Sequence, residues 1–273
     1  YGIYKGFFNS QWDMYAPAGN SSIFYLTYPS TDQFFLSEDW GGKNESSWPG
    51  RLYWFSWTPD HGWLADVYNT SFSFIASANL AIENIPEADI EEDQKQAYLA
   101  EARALRAFYY TILHSFYGNV PIVTEYDVTL KTLPEQNTSG EVAAFIEEEL
   151  KAVIPELPDK NYIGTSKYGR LHKAGAQAIL AKLYLNTKQW QKAAEVSKSI
   201  IDNPNFGLAD EYQWVFDPDN GTAEKAKEML VVIPCTTTPG DGKNFAVHVL
   251  PWEHAEIDGW NGYFTPRSFY NTF

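Results

Sequence analysis

Apolar residues recur at helical spacing near the centre of the chain. The recurring positions, each three or four residues from the next, are Leu105, Phe108, Ile112 and Phe116. Residues at this spacing share one face of an α-helix. Gly118 then permits the left-handed conformation of a C-terminal cap, and Pro121 cannot continue a helix. The pattern therefore predicts a long amphipathic helix that ends just before Gly118.

The same periodicity predicts further helices on both sides of this one. They cover Tyr1 to about Phe8, Trp63 to about Ile85, Val142 to about Ile154, His172 to about Asn186, and Gln189 to Ile201, and the central helix begins in the acidic segment EADIEEDQ. The last two are joined by a tight turn and place alanines where their backbones cross. Such a pair is typical of a tetratricopeptide hairpin. On periodicity alone, an ordinary helical bundle is an equal alternative.

The regions that flank these helices read as long loops. Residues 1–58 and 204–273 are rich in Gly, Ser, Asn, Pro and aromatic residues. One strand-like run, EMLVVIP at 228–234, lies between turn signals. We interpret residues 1–273 as a single α-helical domain, with its helices at 60–203.

Composition and charge exclude several classes of protein. The chain has 273 residues, of which 44% are hydrophobic and 20% charged, so it can form a globular fold with a sizeable core. Its net charge of -15 argues against a nucleic-acid partner, because phosphate binding needs clustered Lys and Arg. The only cysteine, Cys235, cannot form an intrachain disulfide and reads as a packed thiol.

Aromatic residues are unusually abundant, at 16% of the chain with 10 Trp and 18 Tyr. Their rings offer flat apolar platforms with a polar edge, which suit the faces of sugars. Exposed aromatics in loops are costly unless the fold or a ligand covers them. Trp57 lies close to the first long helix and is a candidate for the core. Three others, on helix faces or beside apolar residues, are assigned to the core: Trp63, Trp190 and Trp214.

Five segments resemble the SusD/RagB family, in the family's own order. They are YNTSFSFIASANLAIENIP at 68–86, EARALRAFYYTILHSFYGNVPIV at 101–123, GRLHKAGAQAILAKLYLNTKQWQKAAEVSKSII at 169–201, NGTAEKAKEMLVVIP at 220–234 and NGYFTPRSFYNTF at 261–273. The second is the most specific, because an Arg-x-x-Arg-Ala-Phe-Tyr-Tyr helix runs into a Phe-Tyr-Gly-Asn-Val-Pro turn. Each segment alone is a weak signal, but five in order are a strong one.

This resemblance implies an all-α fold, a tetratricopeptide-like superhelix of helical hairpins with long aromatic-rich loops and a few short strands. It implies a cell-surface lipoprotein of Bacteroidetes-type bacteria that binds an oligosaccharide or polysaccharide. The family hands this glycan to a SusC-like TonB-dependent transporter of the outer membrane. Family members are normally longer and begin with a lipoprotein cysteine, so the chain resembles a fragment that lacks the family's C-terminal part. Membrane attachment is then expected only through an N-terminal lipid anchor outside this chain.

The resemblance also implies a ligand site. Family members form it from two loop regions outside the helices, where aromatics stack on sugars and polar side chains bind their hydroxyls. The expected platforms are Trp40, Trp48, Trp252, Trp260 and Tyr263. The expected polar partners are Asp32, Asp39 and Asp258.

No catalytic or metal-binding motif stands out in the sequence. Glu38–Asp39 beside Trp40 is the best pair for glycosidase chemistry, but 35 acidic residues make such a pair expected by chance. We therefore expect a protein without enzymatic activity, metal or cofactor. Asp217–Gly221 superficially resembles a calcium loop and fails the EF-hand spacing. Because some family members hold a structural calcium ion, that alternative stays open.

Three other functions stay open on sequence grounds. A RagB-type subunit for peptide uptake would use an aromatic groove of the same kind. A tetratricopeptide scaffold for a protein partner predicts that the loop tryptophans are buried and insensitive to sugars. A glycoside hydrolase predicts the release of reducing ends from a polysaccharide.

Overall fold

The computed structural model describes residues 2–7, 23–27, 30–31, 35–36, 44, 46–126, 133–217, 219–234, 263–264 and 271. The chain divides into two compact units. The first consists of Ile3–Thr70 and Cys235–Phe273 together with Tyr1, and the second of Ser71–Pro234 together with Gly2. Residues 204–234, expected in the second loop region, therefore group with the long helices.

The first unit contains short elements. They are a 3₁₀ helix at Gly2–Phe7, α1 (Ile23–Thr27), β1 (Phe35–Leu36), α2 (Trp48–Tyr53), the first turns of α3 (Gly62–Asn84) and β2 (Tyr263–Phe264). The strands pair antiparallel, with Phe35 opposite Phe264 and Leu36 opposite Tyr263. This ladder joins the two loop-rich regions, which are far apart in sequence.

The sequence did not predict α2, whose start depends on side-chain capping. Ser47 Oγ accepts a hydrogen bond of 3.0 Å from the Gly50 backbone N–H. Pro49 suits the first turn, where its missing N–H costs nothing. Gly50 is needed because a Cβ there would collide with the backbone carbonyl of Asn44.

The second unit contains the long helices. They are the rest of α3, α4 (Glu92–Tyr117), α5 (Ser139–Val153), α6 (Lys173–Asn186) and α7 (Trp190–Ile201), with 3₁₀ turns at Ile85–Glu87, Ile154–Glu156 and Tyr212–Phe216. Helix α4 packs against α5 and α6, and α6 packs against α7. The helices predicted from periodicity are thus confirmed. Within the described ranges, none is both long enough and apolar enough to cross a bilayer.

Helix α4 is the central helix of the second unit. Between Ala100 and Leu113 almost every side chain is buried. Gly118 ends the helix with φ of 68° and ψ of -78°, so its φ is positive as predicted, but the pair lies outside the left-handed helical region. The apolar stripe alone predicted burial of only one face. The other faces are also buried, because they carry alanines that allow close approach and charged groups that are paired inside the unit.

The expectation that Trp190 belongs to the core is wrong. Trp190 is 62% exposed, whereas Trp63 is buried as expected and Trp214 is half-buried. Trp190 is the first residue of α7, and the buried contact of that helix is made further along, at Ala193. Helical spacing shows that Trp190 lies on the same side of α7 as Ala193, but it does not show that the contact with α6 ends before Trp190.

The run at 228–234 is not a strand. It forms an irregular segment that packs closely against the start of α6, and no strand partner for it lies in the described part of the chain. A Cβ on Gly175 would lie 2.7 Å from the Leu230 carbonyl oxygen, and one on Gly169 would lie 2.5 Å from Pro234 Cγ. Its apolar side chains therefore reflect close packing on a helix rather than pairing in a sheet.

A buried ionic cluster joins three helices of the second unit. The Glu149 carboxylate of α5 accepts hydrogen bonds from two arginines of α4. Arg103 donates from Nε and Nη2 to Oε1, and Arg106 donates from Nε and Nη2 to Oε2, each with a shortest distance of 2.6 Å. Arg106 Nη1 also donates to Asn79 Oδ1 of α3 at 2.9 Å and to the Thr124 carbonyl at 3.2 Å. The planar guanidinium groups make several fixed contacts at once, which a lysine could not reproduce.

The segment that follows α4 is held by the same helices. Asn79 Nδ2 donates to the carbonyls of Val123 and Glu125, at 3.0 and 3.2 Å. The Tyr110 hydroxyl accepts a 2.7 Å hydrogen bond from the Val123 backbone N–H. A second ion pair links Glu101 of α4 to Arg170, whose guanidinium also lies 4.8 Å from the ring centre of Tyr98.

We expect Glu149→Ala to lower the free energy of unfolding by about 3–5 kcal/mol, because it leaves the buried Arg106 guanidinium without its carboxylate. Urea unfolding followed by circular dichroism measures this loss. Glu148→Ala is the matched control, since Glu148 is the exposed neighbour and its substitution should cost less than about 0.5 kcal/mol. Equal losses in the two variants would contradict the structural role of the cluster.

His172 caps the N-terminus of α6 in a buried site. Its Nδ1 accepts a 3.2 Å hydrogen bond from the Gly175 backbone N–H, and its ring stacks on Phe206 with centroids 5.0 Å apart. Burial lowers the pKa of His172 from 6.5 to about 4, and the charge of Asp159 opposes this shift. The cap therefore works in the neutral form, because a protonated Nδ1 could not accept the bond.

Protonation of His172 predicts a loss of stability in acid. The unfolded chain takes up this proton below pH 6.5 and the folded chain only near pH 4, so the contribution is complete above pH 6.5 and falls between these values by up to about 3 kcal/mol. In His172→Asn the cap is kept without the titration. Between pH 7 and pH 4, the unfolding free energy of wild type should therefore fall more than that of this variant, as measured in urea titrations. A difference that does not change with pH would exclude the buried neutral cap.

Candidate ligand-binding site

The structure describes the backbone of only two of the eight expected site residues. Trp48 begins α2, and Tyr263 lies in β2. The six others lie outside the described residues: Asp32, Asp39, Trp40, Trp252, Asp258 and Trp260. Because β2 pairs with β1 and α2 lies next to β1, the backbones that carry Trp48 and Tyr263 belong to the same small part of the first unit.

An exposed group of aromatic residues follows α2 directly. Trp54 is 48% exposed, Phe55 66% and Trp57 45%. The rings of Phe55 and Trp57 lie 5.7 Å apart, and Trp54 packs edge-on against Tyr53 at 5.1 Å. Trp57, which the sequence made a candidate for the core, is therefore not a core residue. We call Trp54, Phe55 and Trp57 the aromatic segment.

Backbone geometry holds the aromatic segment outward. The Ser56 N–H donates to the Arg51 carbonyl and the Phe55 N–H to the Leu52 carbonyl, which together form a Schellman cap at the end of α2. Phe55 occupies the position of this cap that glycine usually takes, with φ of 55°. A bulky residue in this conformation is strained, and such strain tends to occur at functional sites.

Polar groups adjoin the aromatic segment. Arg51 Nη1 donates to Thr58 Oγ1 at 3.2 Å and lies 3.8 Å from Asp60 Oδ2. The hydrogen bond from the Thr58 hydroxyl holds the pKa of Asp60 below its usual value, so this exposed carboxylate stays ionised and can accept further bonds. Flat apolar rings beside a carboxylate and a guanidinium are suited to stack on a sugar and bind its hydroxyls.

The sequence did not identify these residues as ligands. Trp54 and Trp57 both lie in the first loop-rich region, 1–58, where Trp57 was a candidate for the core. Their signal was the run YWFSW at 53–57, in which the position after a short helix carries an aromatic residue instead of glycine. This signal can be recognised only when the end of α2 and its cap are known.

The turn that could have held calcium already contains a cation. Lys225 Nζ lies 2.6 Å from Asp217 Oδ2 and 2.6 Å from Asp219 Oδ1. These contacts raise the pKa of Lys225 and lower that of Asp219, so this ammonium and this carboxylate are both charged near neutral pH. Elsewhere in the described ranges, no three His, Cys, Asp or Glu side chains come together as a metal-binding group.

More than half of the chain matches a known protein family. A family model named SusD-like, with the description "Starch-binding associating with outer membrane", matches residues 28–185. The chain belongs to the SusD-like family. SusD-like protein P2 of Formosa agariphila is 30% identical over 224 residues, which cover 76% of this chain and 42% of that protein. A SusD-like protein of Bacteroides ovatus is 24% identical over 187 residues, or 63% of this chain and 33% of that protein.

Solved structures show the same fold. A laminarin-binding SusD-like protein matches with a TM-score of 0.81 and 21% identity, over 98% of this chain and 61% of that one. Surface glycan-binding protein A from Bacteroides thetaiotaomicron, in complex with laminarihexaose, matches with a TM-score of 0.77 and 17% identity, over 99% and 59%. The expected all-α, tetratricopeptide-like fold is thus confirmed. This SusD-like chain spans less than two thirds of the length of each of these proteins.

We expect calcium to have no effect through the Asp217–Asp219 turn, because the Lys225 ammonium already occupies the space between both carboxylates and calcium needs six or more oxygen ligands. The melting temperature of wild type and of the Asp217→Asn/Asp219→Asn variant should respond identically to added calcium. A calcium-dependent increase that is present in wild type and absent in the variant would place an ion in this turn.

Proposed function

We propose that this SusD-like chain is the glycan-binding part of a nutrient-uptake protein at the cell surface. The proposal rests first on the aromatic segment, which exposes three aromatic side chains beside an ionised carboxylate and an arginine. The fold of the chain matches that of proteins that bind laminarin and laminarihexaose. A β-glucan of this kind is therefore the first ligand to test.

The aromatic segment supplies the apolar surface that a sugar needs. Trp54 and Trp57 present about half of their area to solvent, although tryptophan side chains are mostly covered in folded proteins. Burying such faces against a pyranose ring gains hydrophobic free energy and a stacking contribution. Asp60 and Arg51 then orient the ring through its hydroxyls.

The eight residues expected from the family resemblance remain part of the proposal. Trp48 and Tyr263 are carried by backbones that meet through β1, which favours a site that draws on both loop-rich regions. In this interpretation the aromatic segment extends the platforms formed by Trp40, Trp252 and Trp260. The carboxylates of Asp32, Asp39 and Asp258 provide further hydroxyl partners.

The proposed role is binding without catalysis. The whole protein would be lipid-anchored to the outer membrane through a segment outside this chain, and it would pass the glycan to a SusC-like TonB-dependent transporter. The family description, which names association with the outer membrane, supports this location. Incubation with laminarin should accordingly release no reducing ends.

We expect the 273-residue chain to bind laminarin saturably in isothermal titration calorimetry. Trp54→Ala and Trp57→Ala should each weaken binding about tenfold, the loss expected when one stacked aromatic face of roughly 1.4 kcal/mol is removed. Phe55→Gly separates the side chain from the fold, because it removes a ring while relieving the left-handed strain. This variant should bind more weakly and unfold at the same or a higher urea concentration.

Trp190→Ala is the matched control, since it removes an equally exposed tryptophan of the second unit. It should leave laminarin binding unchanged. Trp40→Ala and Trp260→Ala, examined in parallel, test the platforms expected from the family resemblance. Equal affinity in wild type and the Trp54 and Trp57 variants would exclude the aromatic segment from the site. Binding of a peptide library without any response to glycans would favour the peptide-uptake alternative.

A further inference from the structure

Positive charge is concentrated in one part of this acidic chain. Residues 160–201 contain eight Lys and Arg residues and a single acidic residue, Glu195. The whole chain has 20 Lys and Arg against 35 Asp and Glu. The basic stretch includes α6, α7 and the turn between them, so the charge asymmetry coincides with one helical hairpin. Such asymmetry commonly marks a surface for an anionic partner.

Much of this positive charge is already used within the fold. Arg170 pairs with Glu101, Lys192 with Glu147 at 2.9 Å, and Lys198 with Asp202 at 2.7 Å. Lys182 and Lys188 differ, because both are exposed and neither forms an ion pair with any side chain in the described ranges. Glu147, which lies against the hairpin, is held by Lys192, Lys151 and the Tyr184 hydroxyl.

Two large apolar side chains accompany these lysines at the same end of the hairpin. Leu185, in the last turn of α6, is 51% exposed, and Trp190, which begins α7, is 62% exposed. We call Lys182, Leu185, Lys188 and Trp190 the hairpin tip. An exposed tryptophan and leucine flanked by unpaired lysines form an amphipathic surface with no covering element among the described residues.

The conformation of Lys188 sets it apart from an ordinary surface lysine. The Gln189 N–H donates to the Tyr184 carbonyl at 2.8 Å and the Lys188 N–H to the Leu185 carbonyl at 3.1 Å, so a Schellman cap ends α6. Lys188 has φ of 60° at the position that favours glycine. A lysine at this position costs stability relative to glycine, and it places an exposed cation in the turn between α6 and α7.

We propose that the hairpin tip is a docking surface for an anionic lipid surface, with Trp190 and Leu185 at the headgroup level and Lys182 and Lys188 against phosphates. Tryptophan is enriched at membrane–water interfaces, and lysine is an anchor at the same level. Each lysine near an anionic surface strengthens binding about fivefold. This inference is independent of glycan binding and would add to any lipid anchor outside the chain.

The size of the tip favours a lipid surface over a protein partner. A stable protein interface needs about 20–30 residues on each side, and only four side chains form the tip. A membrane contact can be this small, because it adds to attachment made elsewhere on the same molecule. The net charge of the chain does not oppose it strongly, since charges farther than about 8 Å are screened at physiological salt.

The test is co-sedimentation of the 273-residue chain with vesicles of phosphatidylcholine alone or mixed with phosphatidylglycerol. Wild type should partition more strongly onto the anionic vesicles, and high salt should reduce this preference. The variant Lys182→Gln/Lys188→Gly/Trp190→Ala should partition at least about tenfold more weakly. Lys188→Gly alone should lose about fivefold while unfolding no more easily than wild type, because glycine relieves the strain.

Two controls match these changes. Lys167→Gln removes an exposed lysine from the same basic stretch but outside the tip, and Trp54→Ala/Trp57→Ala removes exposed aromatics from the first unit. Both should bind anionic vesicles as wild type does. Equal binding of wild type to both vesicle types, or of the triple variant and wild type, would overturn the proposal. So would tip-dependent binding of soluble alginate or polyglutamate without vesicle binding, which would assign the tip to a soluble polyanion.

Discussion

The Glu149 carboxylate is the point on which the helical unit depends. Each of its oxygens accepts hydrogen bonds from one arginine of α4, and one of those arginines also donates to Asn79 of α3 and to the Thr124 carbonyl. A buried charge is tolerated only when its partners are in place. Three helices and the segment after α4 must therefore take up one relative arrangement. The Glu101–Arg170 pair connects the same central helix to the chain just before α6.

This cluster also explains what the family resemblance reports. The most specific motif, Arg-x-x-Arg-Ala-Phe-Tyr-Tyr, contains Arg103, Arg106 and Tyr110, which all make contacts inside the second unit. Gly169 and Gly175 of another motif are required by the close approach of residues 230–234. These motifs of the second unit therefore identify the scaffold, whereas the residues proposed to bind a glycan, apart from Tyr263, lie outside the five segments.

Two helices end in the same strained way, and both ends are proposed to bind something. Helix α2 places Phe55 and helix α6 places Lys188 at the cap position that favours glycine. Such a residue costs on the order of 1 kcal/mol relative to glycine. In both cases the residue belongs to a short segment that also carries exposed aromatic or apolar side chains. One surface combines aromatics with a carboxylate and suits neutral hydroxyls, and the other combines them with cations and suits phosphates.

The sequence by itself determined the long helices, their approximate ends and the family. Periodicity, caps such as Gly118 and prolines act locally, so they can be read from neighbouring residues. Much less of the candidate site could be predicted. The loop-rich regions were identified as aromatic, but Trp57 was considered for the core and Phe55 was not noticed. Only the tertiary structure decided that Trp190 is exposed, that 228–234 packs on α6 instead of forming a strand, and which arginines meet Glu149. Burial and ion pairing depend on residues far apart in the chain, and no local pattern specifies them.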